Sequence, residues 1–165
     1  MTRDQKLLLP KGDVIEASFF SRNLDDAAIA RLAAELASNT NLKKLDLDYN
    51  RVGVEGAKAL AMALEQNTTL EKLYLDGNAI GPAGAAHLAS ALEKNQTLRA
   101  LNIGHNQVGP TGAATLAASI KHNHSLQWLN LNFNHLGKKG APHLKTIEAK
   151  LDDNTQKYWG SLLAA

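Results

Sequence analysis

Residues 67–85 read NTTLEKLYLDGNAIGPAGA. Taken alone, the stretch imitates a phosphate-binding loop, because a short apolar strand runs into Gly77, Gly81 and Gly84 and then into an alanine-rich helix. The rest of the chain removes that reading. One period of 28 residues upstream stands NTNLKKLDLDYNRVGVEGA, and the next two windows downstream are NQTLRALNIGHNQVGPTGA and NHSLQWLNLNFNHLGKKGA. A cradle for chemistry is needed once, whereas a residue that recurs at a fixed period serves the architecture common to every period. Gly81 and Gly84 are therefore structural.

Aligned on that period, the chain divides into repeats 14–41, 42–69, 70–97, 98–125 and 126–153, with residues 1–13 as a flank and 154–165 as a C-terminal cap, all in one domain spanning 1–165. Leu42, Leu70, Leu98 and Leu126 open their units. Leu45, Leu73, Leu101 and Leu129 follow, then Leu47, Leu75, Ile103 and Leu131. The alternation of Leu45 and Leu47 with Lys44, Asp46 and Asp48 predicts a strand with one buried face. Asn50, Asn78, Asn106 and Asn134 form a polar column between aliphatics, and such a column has to be hydrogen-bonded as a buried ladder. Gly53, Gly81, Gly109 and Gly137 are placed to let the chain turn, and Gly56, Gly84, Gly112 and Gly140 to start a helix against its neighbour. Ala57, Leu60 and Leu64, with Ala85, Leu88 and Leu92, then follow the spacing of a helix with one buried face, which Asn67, Asn95 and Asn123 close.

The pattern L-x-x-L-x-L-x-x-N-x-L over about 140 residues resembles the leucine-rich repeat, and its length with a full helix per unit resembles the ribonuclease-inhibitor-like class. The resemblance implies an α/β fold: a right-handed solenoid curved like a horseshoe, with a parallel sheet on the concave face and helices on the convex face. Spacing supplies an independent reason for the curve, since strands pack about 4.8 Å apart and helices about 8 to 10 Å. Slim alanine-rich helices ease the bend.

Open solenoid ends need covers. The first unit departs from the pattern, with Val14, Ala17 and Phe19 in the leucine columns, Arg22 where asparagine is expected and Asp25 in place of glycine, and it reads as a cap. In the last unit Glu148 stands in a column otherwise held by Leu36, Leu64, Leu92 and Ile120, and Tyr158, Trp159, Leu162 and Leu163 are expected to fold over the final coil.

Composition narrows the function. A net charge of +2 with scattered basic residues argues against nucleic acid or a membrane surface as partner. The absence of cysteine excludes disulfides, thiolate metal sites and a cysteine nucleophile, and fits a reducing compartment. No apolar run reaches the roughly 18 residues of a membrane span, so a cytoplasmic chain is expected, acting in a host cytosol if it is a secreted bacterial effector. The histidines do not converge at metal-ligand spacing, the sequons at Asn67, Asn95 and Asn123 follow from the repeat, and no Ser, His and Asp set breaks the period. We expect no metal, no cofactor and no catalytic residue.

The outward positions of the strands do vary from unit to unit, and structure does not require that variation. Lys44, Asp46, Asp48 and Tyr49, Lys72, Tyr74 and Asp76, Asn102 and His105, and Trp128, Asn130 and Asn132 are the expected contacts for a protein partner, with Tyr74 and Trp128 as anchors. Together they describe a non-enzymatic, monomeric interaction module. Repeats of this look occur in cytosolic innate-immune receptors, nuclear-transport GTPase-activating proteins, tropomodulins and bacterial effectors. A GTPase-regulating role, for which Arg22 and Arg51 are the candidate groups, and a scaffold fragment without a partner of its own are the alternatives.

Overall fold

The computed structural model describes residues 8–10, 12–151, 153, 155 and 156. Five short strands, β1 (Glu16–Ser18), β2 (Lys44–Asp46), β3 (Lys72–Tyr74), β4 (Ala100–Asn102) and β5 (Trp128–Asn130), alternate with five helices. These are α1 (Asp26–Ser38), α2 (Val54–Gln66), α3 (Gly81–Lys94), α4 (Gly109–Ile120) and α5 (Gly137–Leu144), and a 3-10 turn over Lys145–Lys150 follows. The strands lie in chain order and pair in parallel, each residue opposite its equivalent one period away: Glu16, Lys44, Lys72, Ala100 and Trp128 form one row. A helix follows every strand and packs on the helices before and after it. This is an α/β solenoid, with the sheet on the side where the spacing is tighter.

Pairing outlasts the short strands. Leu47 N–H donates to Tyr74 O at 2.8 Å, Tyr49 N–H to Asp76 O at 2.7 Å and His105 N–H to Asn132 O at 2.9 Å. The register is thereby held as far as residues 49, 77, 105 and 133. The core is the stack of leucine columns: Leu42, Leu45, Leu47, Leu70, Leu73, Leu75 and Leu98 are all fully buried, and Ala57, Leu60, Leu64, Ala85, Leu88 and Leu92 close it from the helical side.

Asn50, Asn78, Asn106 and Asn134 are buried and bonded as a ladder. Asn78 Nδ2 donates to Leu47 O of the preceding coil and to Leu75 O of its own, at 3.1 and 2.9 Å, while its Oδ1 accepts Val52 N–H at 2.9 Å. The helix-closing asparagines form a second ladder that their spacing alone did not reveal. Asn67 Nδ2 donates to Leu36 O and Asn39 O, Asn95 Nδ2 to Leu64 O and Asn67 O, and Asn123 Nδ2 to Leu92 O and Asn95 O. Each Oδ1 takes the N–H groups that open the next strand, such as Thr69 and Leu70. These three side chains are buried and fully occupied, so the sequon asparagines are architectural.

Several positions depart from the expected roles. Gly81, Gly109 and Gly137 turn with positive φ, but Gly53 has φ −100°. Its small size serves instead to admit Asp26, whose Oδ1 accepts Gly53 N–H at 2.6 Å and whose carboxylate would crowd a Cβ at Gly53 through Oδ2 and at Gly56 through Oδ1. In the first unit Asp25 caps α1 by accepting Ala28 N–H at 2.9 Å, and Leu9 and Leu24 are buried, whereas Val14 is exposed. In the last unit α5 stops at Leu144, and Ile147 enters the core while Glu148 stays outside it. Leu151 then bridges Leu129, and Thr155 Oγ1 accepts Leu131 N–H at 3.1 Å, which closes the sheet edge. Lys150 Nζ donates to Ile120 O and Asn123 O, the two carbonyls that the next asparagine of the second ladder would have taken. Tyr158, Trp159, Leu162 and Leu163 lie outside the described residues.

Candidate functional site

The exact 28-residue register sorts the outward side chains into rows that cross the sheet. At the N-terminal ends of the strands stand Glu16, Lys44, Lys72, Ala100 and Trp128, and behind them Ser18, Asp46, Tyr74, Asn102 and Asn130. One further pleat on come Phe20, Asp48, Asp76, Gly104 and Asn132, and the outermost row is Ser21, Tyr49, Gly77, His105 and Phe133. All twelve residues expected to contact a partner therefore lie on one surface. Trp128 is 36% exposed and Tyr74 half-buried, with Lys44 Nζ 5.6 Å from the centre of the Tyr74 ring. Lys44 is also paired with Glu16 at 3.3 Å, and that hydrogen bond and charge raise its pKa above the ordinary lysine value.

Side chains in the middle rows are held by their own turns. Asp46 Oδ1 accepts Asp48 N–H at 3.0 Å, Asn102 Oδ1 accepts Gly104 N–H at 3.2 Å and Asn130 Oδ1 accepts Asn132 N–H at 2.8 Å. Asp48 Oδ1 accepts Asp76 N–H at 2.6 Å. Burial nevertheless raises the Asp48 carboxyl to about 6, against the pull of that hydrogen bond and with help from the neighbouring charges of Asp46 and Asp76. Asp76 Oδ1 lies 2.9 Å from His105 Nδ1. Among the described residues no group of three or more His, Asp or Glu side chains is arranged to hold a metal ion.

The outermost row is the feature that residue types did not announce. Ser21, Tyr49, Gly77, His105 and Phe133 all have positive φ, between 49° and 66°. Bulky residues avoid this conformation, and here ladder bonds to the next coil impose it on Ser21, Tyr49 and His105. Their side chains are thrown onto the rim. Phe20 and Tyr49 pack with ring centres 5.4 Å apart, and His105 stacks on Phe133 at 4.3 Å. Gly77 lies between these pairs because Tyr49 leans across it: a Cβ there would stand 2.7 Å from Tyr49 Cδ1. A nearly continuous aromatic rim results, exposed at Phe20 (52%), Tyr49 (52%) and Phe133 (67%). The period aligned this row in the sequence, but nothing there showed that it would be left-handed.

Arg51, one of the two arginines considered for GTPase chemistry, is exposed and its Nη2 is 3.4 Å from Asn23 O. Arg22 is exposed, with its backbone N–H bonded to Asn50 Oδ1. No helix among the described residues is long and apolar enough to cross a membrane.

Comparison with known proteins adds a family to this geometry. No curated protein matches the chain by sequence. Among solved structures, leiomodin-1 actin-binding site 2 superimposes with a TM-score of 0.74 and 26% identity, over 90% of this chain and 85% of that one. The tropomodulin C-terminal domain of Caenorhabditis elegans does so with a TM-score of 0.72 and 16% identity, over 93% of this chain and 91% of that one, a likeness of fold. A family model described as leucine-rich repeat matches residues 38–61, 66–89, 94–117 and 122–141, more than half of the chain. With its leucine columns buried, its asparagine ladders bonded and its strands in one parallel sheet, the chain belongs to the leucine-rich repeat family.

Proposed function

We propose that the chain is a non-enzymatic protein-binding module whose concave sheet and aromatic rim form the contact surface. One observation carries the reading. Of the eight large apolar residues exposed among the described residues, Phe20, Tyr49, Trp128 and Phe133 lie on this surface, while the described helices expose only Met62. Apolar side chains in water gain about 25 cal/mol per Å² when a partner covers them, and Trp and Tyr are the residues most often found at the energetic centre of interfaces. Five strands span about 20 Å, which suits one side of a small domain or a peptide.

The test is affinity capture with the immobilised chain, comparing wild type, a Tyr74→Ala/Trp128→Ala variant and a Met62→Ala variant on the helical side, each checked by circular dichroism. A partner retained by wild type and Met62→Ala but lost by the double variant supports the concave face. Equal retention by all three contradicts it.

The likeness to leiomodin-1 actin-binding site 2 favours actin as the first partner to try. Sedimentation with actin filaments and a native gel with actin monomers decide that point. Binding to neither form removes actin and leaves the interaction surface as argued.

A further inference from the structure

The acidic row and the aromatic rim are neighbours, and together they say more about the partner than either does alone. Across the sheet the charge changes sign, with Lys44 and Lys72 at one edge and Asp46, Asp48 and Asp76 towards the rim, in a chain whose net charge is +2. Along the rim the hydrogen-bonding character changes as well. The N-terminal half offers carboxylate acceptors at Asp46 and Asp48, beside the rings of Phe20 and Tyr49. The C-terminal half offers amide donors, because Asn102 and Asn130 spend their Oδ1 atoms on Gly104 N–H and Asn132 N–H, while their Nδ2 groups have no hydrogen-bond partner among the described residues. Gly104 keeps this half open: a Cβ there would stand 3.1 Å from Asp76 Oδ2 and 3.2 Å from Asn130 Nδ2.

We infer that this band seats one extended segment of a partner protein, lying across the strands along the rim, with a lysine or arginine over Asp46 and Asp48 and bulky apolar side chains on the aromatic rings. The inference rests on the concave-face reading and adds the chemistry of the occupant. The Asn102 and Asn130 amides meet carbonyl oxygens of the segment backbone, which recur in any extended chain. Four strand spacings separate β1 from β5, about 19 Å, and an extended chain covers that distance in about six residues. A negative floor beside an apolar wall selects against acidic segments as well as for basic ones.

The experiment is selection from a phage-displayed random hexapeptide library on the immobilised full chain. Recovered peptides are then synthesised with a fluorescent label and titrated by anisotropy at about 50 and about 300 mM salt, concentrations chosen to move the screening length through the range of surface charge pairs. Expected are peptides with Lys or Arg next to Leu, Ile, Phe or Trp, binding several-fold more weakly at high salt. Asp46→Asn with Asp48→Asn keeps the oxygens that accept Asp48 N–H and Asp76 N–H, and is expected to weaken binding about tenfold and flatten its salt dependence. Phe133→Ser, at a largely exposed ring, is expected to weaken binding several-fold without unfolding the chain. Recovery of acidic peptides, of none at all, or of peptides whose affinity ignores both variants overturns the inference. If a protein partner is still captured through Tyr74 and Trp128 in those cases, the segment is refuted and the binding face survives.

Discussion

The ladder asparagines differ in what their removal leaves unpaired, and the difference sets an order of stability. Asn106 and Asn134 are both fully buried. Asn106 donates to Leu75 O and Gly104 O and accepts Ile80 N–H. Truncation to alanine orphans only Ile80 N–H, because Leu75 O keeps the Asn78 amide and Gly104 O keeps Gly77 N–H. Asn134 accepts both Asn106 N–H and Val108 N–H and donates to Ile103 O and Leu131 O, and none of these four groups has another partner among the described residues. A buried group left without a partner costs about 1 to 3 kcal/mol. Asn106→Ala should therefore cost about 2 to 3 kcal/mol and Asn134→Ala about twice that, even after relaxation and water entry reduce the sum. Asn102→Ala, on the open face, should cost under about 1 kcal/mol. Urea unfolding followed by circular dichroism measures all three, and the melting temperature of Asn106→Ala should fall by roughly 4 to 12 °C. Equal costs for Asn106 and Asn134, or a cost below 1 kcal/mol for either, would refute the accounting of shared and unshared carbonyls.

Three further outcomes follow from particular side chains. Asp48 titrates at about 6 in the folded chain against an ordinary 3.8, so the folded state binds the extra proton and stability should rise as pH falls from about 6 towards 4. The full shift corresponds to about 3 kcal/mol, and since the carboxyl is only half-buried about 1 kcal/mol is expected; Asp48→Asn should abolish that slope in urea titrations across the window. Gly77→Ala should destabilise by about 1 to 3 kcal/mol through the Tyr49 ring 2.7 Å from the new Cβ, and the loss should shrink in a Tyr49→Ala background, a double-mutant cycle that a purely conformational cost would leave at zero coupling. Lys150→Met removes the donor to Ile120 O and Asn123 O and should cost about 1 to 2 kcal/mol, with hydrogen exchange quickening first around the end of α4 and β5; uniform exchange along the chain would contradict its role as a terminal ladder rung.

Most of the scaffold was legible in the sequence because a solenoid repeats its constraints. Leu45, Leu73, Leu101 and Leu129 each meet the same neighbours one coil away, so one unit read correctly reads the others. The ladder through Asn50, Asn78, Asn106 and Asn134 was legible for the same reason, a polar residue fixed between buried aliphatics. The second ladder was not, since Asn67, Asn95 and Asn123 sit where asparagine also ends helices for local reasons, and only the three-dimensional stacking distinguishes the two roles. Gly53 looked like its equivalents, but its role depends on Asp26 in the preceding coil. The rim escaped because left-handed backbone at Ser21, Tyr49 and His105 is imposed by hydrogen bonds to a neighbouring coil and has no signature in the residues themselves. Lys150 is the clearest case of a side chain readable only in place, as it occupies an asparagine's hydrogen bonds from a position one residue off the period.

The central claim is that the varied concave rows and their rim, not the helices, hold the partner. The most direct measurement is the dissociation constant of a captured partner for Trp128→Ala/Phe133→Ser and for Lys58→Ala/Met62→Ala on α2. The account expects at least a tenfold loss in the first variant, about 1.4 kcal/mol or more, and less than twofold in the second. The reverse pattern would place the interface on the helices and contradict the account.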